Sequence, residues 1–224
     1  MTTRPTKDAP AKASRSRATK DAEVVAAAEA DAHAVRSDDK RECILEAALE
    51  LFAERGFHGT AVPAIADRAK VAAGTIYRYF ESKEALVNAL YARYKSALGA
   101  SLVSDFPFSS PPRAQFHHFF ERAIGFAKRE PLAFKFLEGH HHAPYLDDES
   151  RALEARVLEP ARAFFEQTER LHVTRKTAPE ALGAIVWGGI VGLVRAGWEG
   201  RLRLDPKIET AAEEALWDAI RRHD

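Results

Sequence analysis

Cysteine is nearly absent: Cys43 is the one thiol in 224 residues. No disulfide can form within the chain, so its stability must come from packing, and a reducing, cytoplasmic setting is expected. Net charge is absent too, with 33 lysines and arginines against 33 aspartates and glutamates. A positive field over the whole surface is thereby excluded. Any attraction to nucleic acid must come from local arrangement. No apolar stretch follows the first residue. Positions 1–37 are rich in Ala, Lys, Arg, Thr and Asp, so a secretory leader is not expected. No alternating polar–apolar run signals a strand, and no unit recurs at a period of 20–50 residues. No P-loop, GxGxxG or nucleophile-elbow motif occurs, so no catalytic residue and no cofactor is assigned. The most membrane-like stretch, Ala181 to Trp198, contains five glycines and Arg195. At about 18 residues it sits at the lower limit for a span and reads as a buried helix, with no membrane partner.

What is present is helical periodicity and a basic tail. Arg4, Lys7, Lys12, Arg15, Arg17 and Lys20 face only Asp8 in the first twenty positions. With no large apolar residue to offset ordering entropy, residues 1–37 are expected to be a disordered basic extension. From Asp39 onward, Ile44, Leu45, Ala48, Leu51 and Phe52 form one apolar face. Gly56 suits the position just past that helix. Thr60 is placed as the N-cap of a second helix, with Pro63 in its first turn. A very short aromatic helix, Ala73 to Phe80, follows. Ser82 then caps a long helix carrying Leu86, Val87, Leu90, Tyr91, Tyr94 and Leu98 on one face. Beyond the break at Pro107, Pro111 and Pro112, helices are expected around Phe116–Ala127, from Pro131, from Asp147-Asp148 with a kink at Pro160, from Pro179, and from Asp205-Pro206. The fold class is therefore all-α.

Two short helices separated by Lys70-Val71-Ala72 have the layout of a helix-turn-helix, whose second helix enters the major groove. A helix of under two turns is unstable alone, so a rigid setting must hold it. The residues Arg41, Ile44-Leu45, Ala47-Ala48, Leu51-Phe52, Gly56-Phe57, Thr60, Ile65-Ala66, Ala69, Val71, Gly74-Thr75, Tyr77, Tyr79-Phe80 and Lys83-Glu84-Ala85-Leu86 resemble the DNA-binding domain of TetR-type transcriptional regulators. The resemblance covers residues 41–86. It implies a three-helix reading domain over 38–86 and a larger helical ligand-binding and dimerisation domain over 87–224. It further implies a homodimer that represses at a palindromic double-stranded operator and is released by a small-molecule effector. An activator or a ligand-independent regulator of the same fold is the alternative; a helical interaction module or an enzyme is a more distant one.

The expected DNA-contacting residues are Thr60, Lys70, Ala73, Gly74, Thr75, Tyr77, Arg78, Tyr79 and Lys83. Gly74 permits close backbone approach, and Thr75 offers a hydroxyl beside free N–H groups. Arg78 is the candidate for a guanine edge, with Tyr79 and Lys83 on phosphates. Ile76 and Phe80 should be core. The chain departs from the family at Lys70, where Gly is usual, and at Ala72, where Ser is usual. Lys70 should therefore hold a strained backbone or shift the turn, and the short helix should lack a side-chain cap.

In the remainder, Phe116, Phe120, Phe134, His140, His141, Tyr145, Phe164 and Trp187 are candidates for a largely apolar effector pocket. Gly188, Gly192, Arg195 and Leu216 are candidates for the dimer interface. The run His140-His141-His142 could hold a transition metal, but consecutive helical residues diverge by about 100°, so no metal site is assigned.

Overall fold

The computed structural model describes residues 39–223 of the chain, together with Met1. The expectation for residues 1–37 lies outside them. Nine helices make up the described residues: α1 (39–55), α2 (Val62–Arg68), α3 (Ala73–Tyr79), α4 (Lys83–Val103), α5 (Pro112–Arg129), α6 (Pro131–Gly139), α7 (Asp148–Arg170), α8 (Pro179–Trp198) and α9 (Pro206–Ile220). Their one extended pairing is an isolated bridge between Thr174 and Arg221.

Local chemistry sets the boundaries. Gly56 ends α1 with φ +69°, a conformation open to glycine without strain. Ser82 caps α4 by accepting from the Ala85 N–H at 3.0 Å. Asp147 caps α7 through the Ser150 N–H (2.8 Å) and Asp205 caps α9 through the Ile208 N–H (3.0 Å). Pro63, Pro112, Pro131, Pro179 and Pro206 all occupy first turns, where a missing N–H leaves nothing unsatisfied.

Two expectations need correction. Thr60 does not cap α2: Ala61 is the N-cap, and it offers no side-chain bond. The Thr60 hydroxyl turns back to the carbonyls of Leu51 (3.1 Å) and Gly56 (2.8 Å), closing the C-terminal end of α1. Nor is α8 a buried helix. It is long and apolar enough to cross a membrane, yet only 22% of its most apolar window is buried. It packs on α5, α7 and α9 through Leu182, Val186, Ile190 and Val194 and leaves its other face open. Pro160 lies inside one continuous α7.

The core runs through both halves of the chain without interruption. Ile44, Phe52, Ile65, Ile76 and Leu86 pack at the N-terminal end, and Phe116, Phe134, Phe136, Phe165 and Ile190 pack beyond it. The continuity comes from α4, whose 21 residues also pack against α5, α6 and α7.

Candidate nucleic-acid interface

The seven residues of α3 are held from behind. Ile76 is 2% and Phe80 5% exposed, and the Arg41 guanidinium lies 5.3 Å from the Phe80 ring. The α2–α3 turn closes through the Val71 N–H on the Ala66 carbonyl at 3.0 Å. With that side anchored, α3 presents Ala73, Gly74, Tyr77 and Arg78 outward. Tyr77 is 55% exposed. Among the described residues, Lys70 and Arg78 form no ion pair, whereas nearby Arg68 is paired with Glu50. Space is open around Gly74, where an added Cβ would meet nothing within 4 Å.

Lys70 holds φ +56°, the left-handed conformation expected of the turn. A lysine there is strained by roughly 1–2 kcal/mol relative to glycine. Ala72 is the N-cap of α3 and makes no side-chain cap; its carbonyl instead accepts from the Thr75 N–H at 2.8 Å.

Three other expected contacts sit differently. Thr60 is 1% exposed and both its hydroxyl bonds are internal. Tyr79 is half-buried and packed against the core. Lys83 donates to the carbonyls of Phe57 (2.8 Å) and Thr60 (2.9 Å), and its ammonium lies 3.9 Å from the Phe57 ring centre. Two of its three donors thus secure the α1–α2 connection. Sequence spacing carries no trace of such side chain-to-backbone bonds across 26 positions.

A profile described as "Bacterial regulatory proteins, tetR family" matches residues 44–90, and one described as "Tetracyclin repressor-like, C-terminal domain" matches residues 92–222. The chain belongs to the TetR family of transcription regulators. Its relatives include the HTH-type transcriptional regulator UidR of Escherichia coli K12, 46% identical over 50 residues, 22% of this chain and 26% of UidR. The uncharacterized HTH-type regulator YuxN of Bacillus subtilis is 43% identical over 56 residues, 25% of this chain and 19% of YuxN. The matched part thus spans about a quarter or less of either relative's length. A solved TetR-family structure from Vibrio parahaemolyticus is similar over 82% of this chain and 100% of that one, at TM-score 0.65 and 28% identity. Family membership identifies the chain as a DNA-binding transcription regulator.

Beyond the reading head, the eight effector-pocket candidates do not gather in one place. Phe134 lies between Trp187 and Trp198, 5.9 Å from each ring centre, and the Trp187 indole N–H donates to Glu138 Oε2 at 2.9 Å. Phe116 packs on Trp217 (5.3 Å), Phe120 is buried, and Phe164 stacks edge-on with Phe165. His140 and Tyr145 turn toward α1, and His141 is exposed. Among the described residues no three metal-ligating side chains converge.

Sequence reasoning missed a polar cluster between α4, α6 and α7. Lys95, 7% exposed, pairs with Glu154 at 3.8 Å. Burial and then Glu154 push the Tyr91 phenol upward. Burial raises the Glu138 carboxyl above its ordinary range, against the pull of Lys95 and the Trp187 bond. These residues are scattered over 63 positions, and only the fold brings them together.

The four interface candidates divide. An added Cβ at Gly188 or Gly192 would meet nothing within 4 Å, so both lie on the open face of α8. Arg195 is also exposed and donates to the Glu138 carbonyl at 3.4 Å. Leu216 packs within the protomer instead: a Cβ on Gly189 would lie 2.5 Å from its Cδ2.

Proposed function

We propose that this chain is a repressor that binds a palindromic operator as a homodimer and leaves it when a largely apolar small molecule binds. Residues 38–86 would be the reading domain, 87–224 the effector and dimerisation domain, 1–37 a basic extension, and the cytoplasm its place of work. The observation that carries the DNA reading is α3 itself, anchored by Ile76 and Phe80 and displaying Tyr77 and Arg78. Arg78 would read a guanine, Tyr77 would pack along the groove, and Lys70, Ala73, Gly74 and Thr75 would lie against the backbone.

The dimer reading rests on α8. Its exposed positions Ala181, Ile185, Gly188, Gly192 and Arg195 recur at intervals of four and three, the spacing of a helix–helix seam. Two such faces related by a two-fold axis would bring glycine against glycine. The effector reading has in its favour a cleft of about 480 Å³ walled by Ala127, Pro131, Val194, Trp198 and Leu204 together with Lys128 and Arg203, with Trp198 edge-on to Phe134. Selection of duplexes from a random pool, followed by binding over a salt series, tests the first reading. A palindromic motif bound with steep salt dependence is expected, and enrichment of no motif would overturn it. Thermal-shift screening against apolar compounds tests the last.

A further inference from the structure

The three consecutive histidines noted in the sequence belong to the connection between α6 and α7, residues 140–147, and that connection touches the reading head. The Tyr145 ring stacks on Phe57 at 4.0 Å, and its hydroxyl is 2.6 Å from His58 Nε2. His140 Nε2 donates to the Ala53 carbonyl at 3.2 Å. A Cβ on Gly56 would lie 3.1 Å from His140 Nδ1, so glycine there lets the imidazole close in. Asn88 of α4 clamps the connection from the other side, donating to the Tyr145 carbonyl (2.8 Å) and accepting from the Asp147 N–H (3.0 Å).

At the centre is His142, 6% exposed. Its ring lies 4.5 Å from that of Phe136 and 6.0 Å from that of Tyr91. Nε2 meets the Phe136 carbonyl at 2.5 Å, so Nε2 carries the proton and Nδ1 is the bare acceptor. Nδ1 is buried with no hydrogen-bond partner among the described residues. A buried polar atom in that state is the exception in folded proteins and calls for an explanation.

We propose that the α6–α7 connection is an acid-released latch: neutral His142 seats it, and the seated connection holds residues 53–58 of the reading head through His140 and Tyr145. A proton added to His142 must go to Nδ1, where no acceptor waits. The charged and titratable groups facing it do not compensate. From α4 come the Lys95 ammonium, which opposes a second positive charge, and the Tyr91 phenol. From the same connection come His140 and His141. Glu138 of α6 and Glu154 of α7 are engaged by Trp187 and Lys95. Burial accordingly holds the imidazole below its ordinary value, with the Phe136 bond acting against that shift. His58 and His140 differ in geometry, because each presents Nε2 to an oxygen. The seated form is thus fully favoured above the ordinary imidazole value of about 6.5 and is lost as pH falls through the lowered folded value. The sign is diagnostic, since protonating surface histidines would otherwise strengthen DNA binding.

The proposal rests on the regulator reading only for its DNA arm. Hydrogen–deuterium exchange of the full chain is compared with that of His142→Gln at equal pH, so intrinsic exchange cancels. At about pH 5.5, segments 140–147 and 53–60 should exchange several-fold faster in the wild type, with no difference at about pH 7.5. Equal exchange at both values overturns the latch. In parallel, affinity for a duplex selected at neutral pH should fall in the wild type relative to the variant by about threefold or more on acidification. Faster exchange with an unchanged affinity ratio overturns the coupling to the head. Failure of either protein to bind any duplex at neutral pH would instead sink the regulator reading, leaving exchange to decide the latch. His142→Phe serves in place of the glutamine variant if that one does not fold.

Discussion

Lys70 shows how far a single position can be read from sequence. Its place between two short helices, where the resembled family usually carries glycine, left two outcomes, a strained backbone or a shifted turn, and the backbone takes the first. Lys70→Gly should therefore raise stability by about 0.5–1 kcal/mol, the relief of strain outweighing glycine's extra freedom in the unfolded chain, and thermal unfolding measures it. Ala72→Ser should add a further cap of about 0.5–2 kcal/mol. Both residues were legible because the chemistry is local. Thr60 and Lys83 were not: each spends its polar atoms on carbonyls fixed only by the tertiary fold. Arg78→Ala should weaken binding to the selected duplex by about 1–3 kcal/mol and relax preference at one base pair. An equal loss on all sequences would reassign Arg78 to the phosphates.

At the scale of the helix, starts and stops were legible because Ser82, Asp147, Asp205 and the first-turn prolines carry their own signals. The environment of each helix was less so. The composition of α8 suggested burial all round, but its glycines divide between two roles. Gly189 receives Leu216 of α9, whereas Gly188 and Gly192 face open space. This distinction predicts different outcomes for similar substitutions. Gly189→Leu should destabilise the protomer itself, by about 1–3 kcal/mol through overpacking. Gly192→Glu should leave protomer unfolding nearly unchanged and shift sedimentation toward monomer, because a dimer would bury the new charge unpaired. A dimer unaffected by Gly192→Glu would move the interface off this face.

Across the whole molecule, the contacts that sequence could not reveal are the long-range polar ones. Glu213 of α9 is 4% exposed and is held by Arg113 and His117 of α5. Burial pushes its carboxyl up, but the bonds to Arg113 and His117 outweigh that and leave it below its ordinary value. Its contribution to stability is therefore present above the ordinary carboxylate value of about 4.3 and is lost as pH falls through the lowered one. Arg113→Ala should lower stability by about 2 kcal/mol near neutrality and flatten the acid limb of the unfolding curve. The unbroken α4 has a further, mechanical consequence. Its 21 residues extend about 31 Å from the DNA-binding helices along α5, α6 and α7, which pack on it. A pivot of about 6° would sweep one end past the other by about 3 Å, and a two-fold partner would double the change in separation. In the proposed dimer such a lever would let a repacking too small to disturb the core become a misfit against the fixed pitch of a double helix.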